Sequence, residues 1–369
     1  MLLSSFGIFV SSFVLCFYIV PVLIKIANKF NLYDHPTEIK RHGRKVPYLG
    51  GGAILLGMLI PISLFLPDFI EKPKFINAFL VIMILSFLQG LDDDLFNRSA
   101  LRKFLIEFFH CALLIYYTGF YLPLGSMFTH ISFPPYISYI ITLVSAVGIV
   151  NAYNLIDGAD GLAGSISLIA SIFYAICFYM DANYFFFFLA LSLSGVLIAF
   201  LLYNKPPAHI FMGDAGSLYI GMLLATFTMV FIEGKSTALS LSISNRIILS
   251  FSFLSIPILD MTRLFAFRIY HRVSPFKGDN NHIHHIMAKV GFTGNQTLLI
   301  ITTFMILNVG IAFLSLNKSW LGFVLINVCF YIILIQVLRQ LNTFLMRRGY
   351  NLLGTVDSGT ESTKEQETA

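Results

Sequence analysis

The chain has 369 residues, of which 57% are hydrophobic and only 12% charged. A mean hydropathy of +0.80 excludes a water-soluble globule of this length and points to a polytopic integral membrane protein. The formal net charge of +5 suits contact with an anionic inner leaflet, and its distribution does not suggest nucleic-acid binding.

Eleven apolar runs long enough to cross a bilayer succeed one another, roughly at 5–27, 46–66, 75–91, 104–121, 136–156, 162–180, 184–203, 217–232, 247–267, 297–316 and 320–338. They predict an all-α helical bundle of about eleven transmembrane helices, or ten if one run does not cross. The first run resembles a secretory signal but lacks a basic leader and a small-residue cleavage pattern, so it is expected to be retained. If that run passes from outside to inside, only Lys72, Lys74, Lys235, Arg246 and Lys318 of the 24 basic residues fall outside, and positive loops resist translocation. The N-terminus is therefore expected outside and the C-terminus in the cytoplasm. Residues 1–350 read as one transmembrane domain, and 351–369, rich in Ser, Thr, Glu and Gly, as a disordered cytoplasmic tail. Cys16, Cys111, Cys177 and Cys329 lie inside expected spans without paired spacing, which indicates neither disulfides nor zinc.

With this alternation, five polar clusters face one compartment. The first loop carries Asp34, Lys40, Arg41, His42, Arg44 and Lys45, then Pro47 and Gly50 to Gly52. Its charges fix orientation, and the Pro and Gly residues suggest a bend and a close helix contact that turn the cations toward a shared site. Asp92, Asp93 and Asp94 come next, and adjacent carboxylates 4 Å apart repel by about 4 kcal/mol at an effective dielectric near 20. They need something positive nearby, which suggests a divalent metal at a phosphoryl-transfer site with Lys103 and Arg102 close by; the alternative is a plain acidic turn solvated by water.

Asn151, Asn154, Asp157 and Asp160 step by three, which keeps neighbours on one helical side, and Gly158, Gly161 and Gly164 thin the backbone around them. Such amides and carboxylates suit a hydrated magnesium ion or sugar hydroxyls, or serve as helix caps. In the segment from Phe211 to Ser217, Gly213 and Gly216 let a phosphate approach backbone amides at a helix start, Asp214 is placed to carry a metal, and Phe211 to stack on a base. The same short pattern also occurs in capped turns. Last, His282, His284 and His285 follow Arg268, Arg272, Lys277 and Asp279, a set of donors suited to a diphosphate or nucleotide. Their spacing does not fit structural zinc.

Taken together, NAYNLIDGADGLAG, FMGDAGS, GLDDD and SPFKGDNNHIHHIMAKVGFT resemble the polyprenyl-phosphate N-acetylhexosamine-1-phosphate transferases, the superfamily that contains MraY and WecA. The resemblance spans about residues 30 to 295, and the histidine segment is closer to the WecA branch, which uses UDP-N-acetylglucosamine. It implies an enzyme of the bacterial inner membrane that moves a sugar-1-phosphate from a UDP-sugar to undecaprenyl phosphate on the cytoplasmic face, releasing UMP and starting a lipid-linked surface glycan. Another UDP-N-acetylhexosamine, such as a 6-deoxy sugar, is the alternative donor. It also implies Mg2+, with Mn2+ as the substitute, and the bilayer, the UDP-sugar and the lipid phosphate as partners; a homodimer is left open.

By resemblance Asp93, Asp94 and Asp157 are catalytic and Asp214 is the metal ligand. Asn151, Asn154, Asp160, Phe211, Lys277, His282, His284 and His285 take the nucleotide-sugar; His42, Arg44, Lys45, Lys103 and Arg268 take phosphate. Where relatives place Gln four residues after the Lys, this chain has Glu107. A transporter is the competing class, because acids within membrane helices often form ion relays. It would need polar groups near the bilayer midplane and corresponding halves, whereas these acids sit at the ends of spans and no halves correspond.

Overall fold

The computed structural model describes residues 1–34, 45–66, 75–96, 98–127, 133–234, 240–274 and 281–347. His42, Arg44, Lys277 and the tail 351–369 lie outside them. Helices account for nearly all the structure: α1 (Leu2–Phe30), α2 (Gly50–Phe65), α3 (Ile76–Phe96), α4 (Ala100–Thr118), α5 (Leu124–Met127), α6 (Pro135–Ile156), α7 (Leu162–Met180), α8 (Tyr184–Asn204), α9 (Gly213–Glu233), α10 (Ile243–Tyr270), α11 (Ile283–Val290), α12 (Gly294–Leu314) and α13 (Trp320–Arg347). Between α1 and α2 a two-residue strand, β1 (Tyr33–Asp34), pairs antiparallel with β2 (Val46–Pro47).

Apart from α5 and α11, every helix overlays one apolar run of the sequence, because a chain that crosses lipid must satisfy its backbone groups internally. Eight are long and apolar enough to span a membrane by length and composition. The protein is a polytopic membrane helical bundle. The differences lie at helix ends: α3 continues through all three aspartates to Phe96, and α13 runs on to Arg347. Hydrogen bonding carries a helix past the last apolar side chain, so hydropathy alone underestimates its length.

At the centre stands α9, in which every residue from Ala215 to Ile232 is buried. It packs against α2, α3, α6, α7 and α10. By contrast α1, α12 and α13 are largely exposed along apolar faces, as expected of helices that border lipid. Close approach to α9 depends on Gly90 of α3, where an added Cβ would lie 2.2 Å from the Asp214 carbonyl oxygen.

At one end of the bundle, the Arg246 and Asp181 side chains form a buried ion pair, with Nη2 donating to Oδ1 at 2.7 Å. Nη1 of the same guanidinium donates to the Phe231 carbonyl at 2.9 Å, clasping the last turns of α7 and α9 to the start of α10. Among the described residues, the aspartates, asparagines and histidines singled out in the sequence lie at the other end.

Alternating helices place Ser99 at the cluster end and Ser319 at the Arg246 end, both exposed. Single cysteines at these positions, in a chain carrying Cys329→Ser, are expected to react with an impermeant thiol reagent from opposite sides of sealed vesicles. Labelling from one side for both would contradict this alternation.

Candidate active site

Three adjacent aspartates on one helix fan out by about 100° each, and each meets a different partner. Asp92 points to the rim, where Arg98 grips it through Nε and Nη2, both at 2.8 Å, and Arg102 approaches to 3.5 Å. Asp93 is buried, accepts the Arg98 backbone N–H at 2.7 Å and pairs with the Lys103 ammonium. Asp94 turns toward α9 and accepts the N–H groups of Asp214 at 2.8 Å and Ala215 at 3.0 Å. It thereby satisfies two donors that a helix start leaves without an intrahelical partner.

Just before them, Gly213 adopts φ +69°, a left-handed conformation that costs glycine little. A Cβ there would lie 2.6 Å from Asp94 Oδ2 and from the Tyr48 carbonyl oxygen. This turn delivers Asp214 to the centre of the cluster. Lys103 Nζ donates to its Oδ2 at 2.9 Å and Asn154 Nδ2 to its Oδ1 at 3.1 Å; the same amide reaches Ser217 Oγ at 2.8 Å. One turn deeper, Asn151 donates to Glu107, a buried carboxylate. Four helices, α3, α4, α6 and α9, therefore meet around Asp93, Lys103, Asn154 and Asp214.

Beside this cluster, the loop after α6 carries the half-buried Asp157 at the helix C-cap and Asp160, whose Oδ2 accepts the Ala208 N–H at 2.9 Å. Asn204 reinforces the link, accepting from the Gly161 N–H at 3.1 Å and donating to the Ile210 carbonyl at 2.8 Å. The half-buried Phe211 donates its N–H to the Pro47 carbonyl at 2.7 Å, and its own carbonyl accepts the Gly50 N–H at 2.9 Å. That pairing draws the first loop to the mouth of the site, with Lys45 exposed at the foot of β2.

The histidines belong to α11 and its cap. His282 Nδ1 donates to Asp260 Oδ2 at 2.9 Å, since a carboxylate can only accept, and the His284 and His285 ring centroids are 4.2 Å apart. His284 lies against the loop after α6: a Cβ at Gly158 would be 2.9 Å from its Nε2. Both of its ring nitrogens are buried without a hydrogen-bond partner. Burial first, then the neighbouring His285 and His282, pushes this imidazole down to about 3, so it is neutral at physiological pH. Arg268 is buried in the last turn of α10.

Sequence reading did not single out Asp260, Arg263, Tyr331, Asn204 or Arg98. One signal was available: Asp260 and Arg263 stand three apart inside an apolar run, an expensive pair in a membrane helix. Tyr331 and Asn204 gave none, because a lone Tyr or Asn in an apolar helix is common.

Residues 76–232 match the family model described as glycosyl transferase family 4. Over 339 residues the chain is 31% identical to the probable undecaprenyl-phosphate N-acetylglucosaminyl 1-phosphate transferase of Bacillus subtilis, covering 90% of each protein. The chain belongs to this family of transferases. A Thermotoga maritima relative, named an undecaprenyl-phosphate alpha-N-acetylglucosaminyl 1-phosphate transferase, is 31% identical over 79% of the chain and 84% of its own length. A decaprenyl-phosphate N-acetylglucosaminephosphotransferase of Mycobacterium leprae is 28% identical over 75% of each. The matched glycosyl transferase family 4 region contains the aspartate, asparagine and Phe211 clusters but ends before α10, so the histidine helix and its supports lie beyond it.

Gly90→Ala is expected to force α3 from the start of α9, an overpacking that costs about 1–3 kcal/mol, and to disperse the carboxylate cluster. Thermal unfolding in detergent should show a lowered midpoint. A wild-type midpoint would mean that the two backbones do not touch there.

Proposed function

We propose that the protein transfers a sugar-1-phosphate, N-acetylglucosamine-1-phosphate foremost, from a UDP-sugar to undecaprenyl phosphate at the inner leaflet of a bacterial plasma membrane, releasing UMP. The observation that carries this reading is the meeting of Asp93 and Asp214 on one Lys103 ammonium, beside Asn154, from four helices distant in sequence. Acids and amides clustered with a cation at the membrane surface suit a charged diphosphate better than a transported ion.

The donor set suits a hard divalent cation. Asp93 and Asp214 bring carboxylate oxygens to one point, and magnesium commonly takes one or two carboxylates while keeping waters and substrate phosphates. Among the described residues no three His, Cys, Asp or Glu side chains group so as to hold a metal alone, which agrees with a site completed by the diphosphate. Asp214, with Asp93, would hold Mg2+ or Mn2+, which when bound neutralises the diphosphate and eases departure of UMP.

A lipid phosphate oxygen attacks the phosphorus that bears the sugar, and the bond from that phosphorus to the UMP oxygen breaks. A phosphate monoester has its second pKa near about 6 and is mostly dianionic at neutral pH, so no strong base is needed. Asp94, with both oxygens committed to α9, holds the loop that carries Asp214. Lys103 stabilises phosphate charge, while Asn151, Asn154, Asp157 and Asp160 form the wall for the nucleotide-sugar. Neutral His284 is free to donate a hydrogen bond to it, with His282 and His285 alongside; Phe211 lies at the base, and Lys45 and Arg268 add cations for the phosphates.

The lipid tail has a path on the same pair of helices. Farther along α4 and α6, a groove of about 500 Å³ is lined by Ala112, Ile115, Tyr116, Tyr139, Ile140 and Leu143.

Purified protein given magnesium, undecaprenyl phosphate and a panel of UDP-sugars should release UMP, with UDP-N-acetylglucosamine turned over fastest. Product mass identifies the sugar, and no UMP from any member of the panel would end this reading. Asp214→Asn should lower turnover by about a hundredfold or more while the protein stays folded. Near-wild-type rates would remove Asp214 from metal binding.

A further inference from the structure

Asp260 lies ten residues before the end of α10, is 1% exposed, and accepts hydrogen bonds from three elements. His282 Nδ1 binds Oδ2 at 2.9 Å; Arg263 Nη2 and the Tyr331 hydroxyl each bind Oδ1 at 2.9 Å; the Ile283 N–H lies at 3.3 and 3.4 Å from the two oxygens. Arg263 Nη2 also donates to the Asn281 carbonyl. The network thus grips the backbone on both sides of His282 as well as its ring. His282 is the N-cap residue of α11, but its side chain bonds none of that helix's N–H groups, so Asp260 supplies the cap from another helix through the Ile283 N–H.

Tyr331 is the part of this network that packing does not require. It belongs to the inward stripe of α13, with Phe323, Asn327, Ile335 and Leu338, where a phenylalanine ring would fill the same space. Its hydroxyl instead gives one directed bond to a carboxylate that, buried in an apolar helix, needs every donor it has.

We propose that Tyr331 and Arg263 are positioning residues of the transfer site, holding Asp260 so that it fixes the His282 ring and the first turn of α11 and thereby sets His284 against the loop that carries Asp157. The proposal rests on the transferase reading and assigns α13 a part in it. The groups facing His282 are Asp260 and Arg263 from α10, Tyr331 from α13, and His284 and His285 on its own helix, with ring centroids 5.8 and 6.4 Å away. Tyr331→Phe takes one donor from the carboxylate that holds this ring, and Asp260→Asn takes the charge itself.

The test compares wild type, Tyr331→Phe and Asp260→Asn with Tyr174→Phe, which loses an equally buried hydroxyl bond, to Thr228 at 2.7 Å, remote from the site. UMP release is measured across pH, and thermal midpoints are recorded in parallel. Tyr331→Phe should lower kcat about tenfold, with KM for the UDP-sugar little changed and a midpoint close to that of Tyr174→Phe. The pH profile of kcat/KM should differ from wild type in both Tyr331→Phe and Asp260→Asn. Tyr174→Phe should keep both rate and profile. Unaltered kcat and profile in Tyr331→Phe, or an equal loss in Tyr174→Phe, would overturn the positioning role while leaving the transferase reading intact. An inactive wild type would overturn both.

Discussion

The Asp94 carboxylate at the start of α9 is the interaction on which the site depends. The first N–H groups of a helix have no intrahelical partner, and each one left unpaired is costly. Asp94 takes two of them, with a negative charge placed where the helix dipole favours one. Because the second residue of that helix is Asp214, the bonds that allow the central helix to be buried also fix the side chain at the middle of the cluster. Lys103 then offsets the charge of Asp93 and Asp214 together. The stability of the core and the chemistry of its end share one carboxylate.

Much of this was legible in the chain. Each of the eleven apolar runs announced a helix because lipid tolerates few alternatives, and polar side chains in membrane helices are rare enough that Asp93, Asp214 and Asn154 stood out. The division of labour among the three consecutive aspartates was not legible. Their directions differ by 100° steps, but which direction meets Arg98, Lys103 or α9 depends on tertiary packing. Glu107 appeared only as a departure from a pattern; in the folded chain it accepts a bond from Asn151. Asp260 and Arg263 carried a signal in their spacing of three, whereas Tyr331 was hidden because it lies on another helix, 71 positions after Asp260.

The two ends of the bundle handle buried charge in different ways. At one end Arg246 and Asp181 satisfy each other and the Phe231 carbonyl in a closed clasp, leaving little capacity for anything else. At the other end the pairings are shared: one ammonium serves two carboxylates, one amide serves a carboxylate and a hydroxyl, and the buried ring nitrogens of His284 lack partners. An incompletely satisfied polar cluster is unfavourable for folding alone, and it is the condition a binding site needs before its ligand arrives.

The insulation of α9 has a consequence for how the bilayer acts on this molecule. Hydrophobic mismatch is felt by helices that touch acyl chains, and α9 is enclosed by neighbours while α1, α12 and α13 are not. A change in membrane thickness therefore acts first on helices with exposed apolar faces and reaches α9 only through the neighbours packed on it. The exception is α13, which borders lipid along most of its length yet holds Asp260 through Tyr331. Together with its direct packing on α10 and α11, that phenol joins a lipid-bordering helix to the histidine segment.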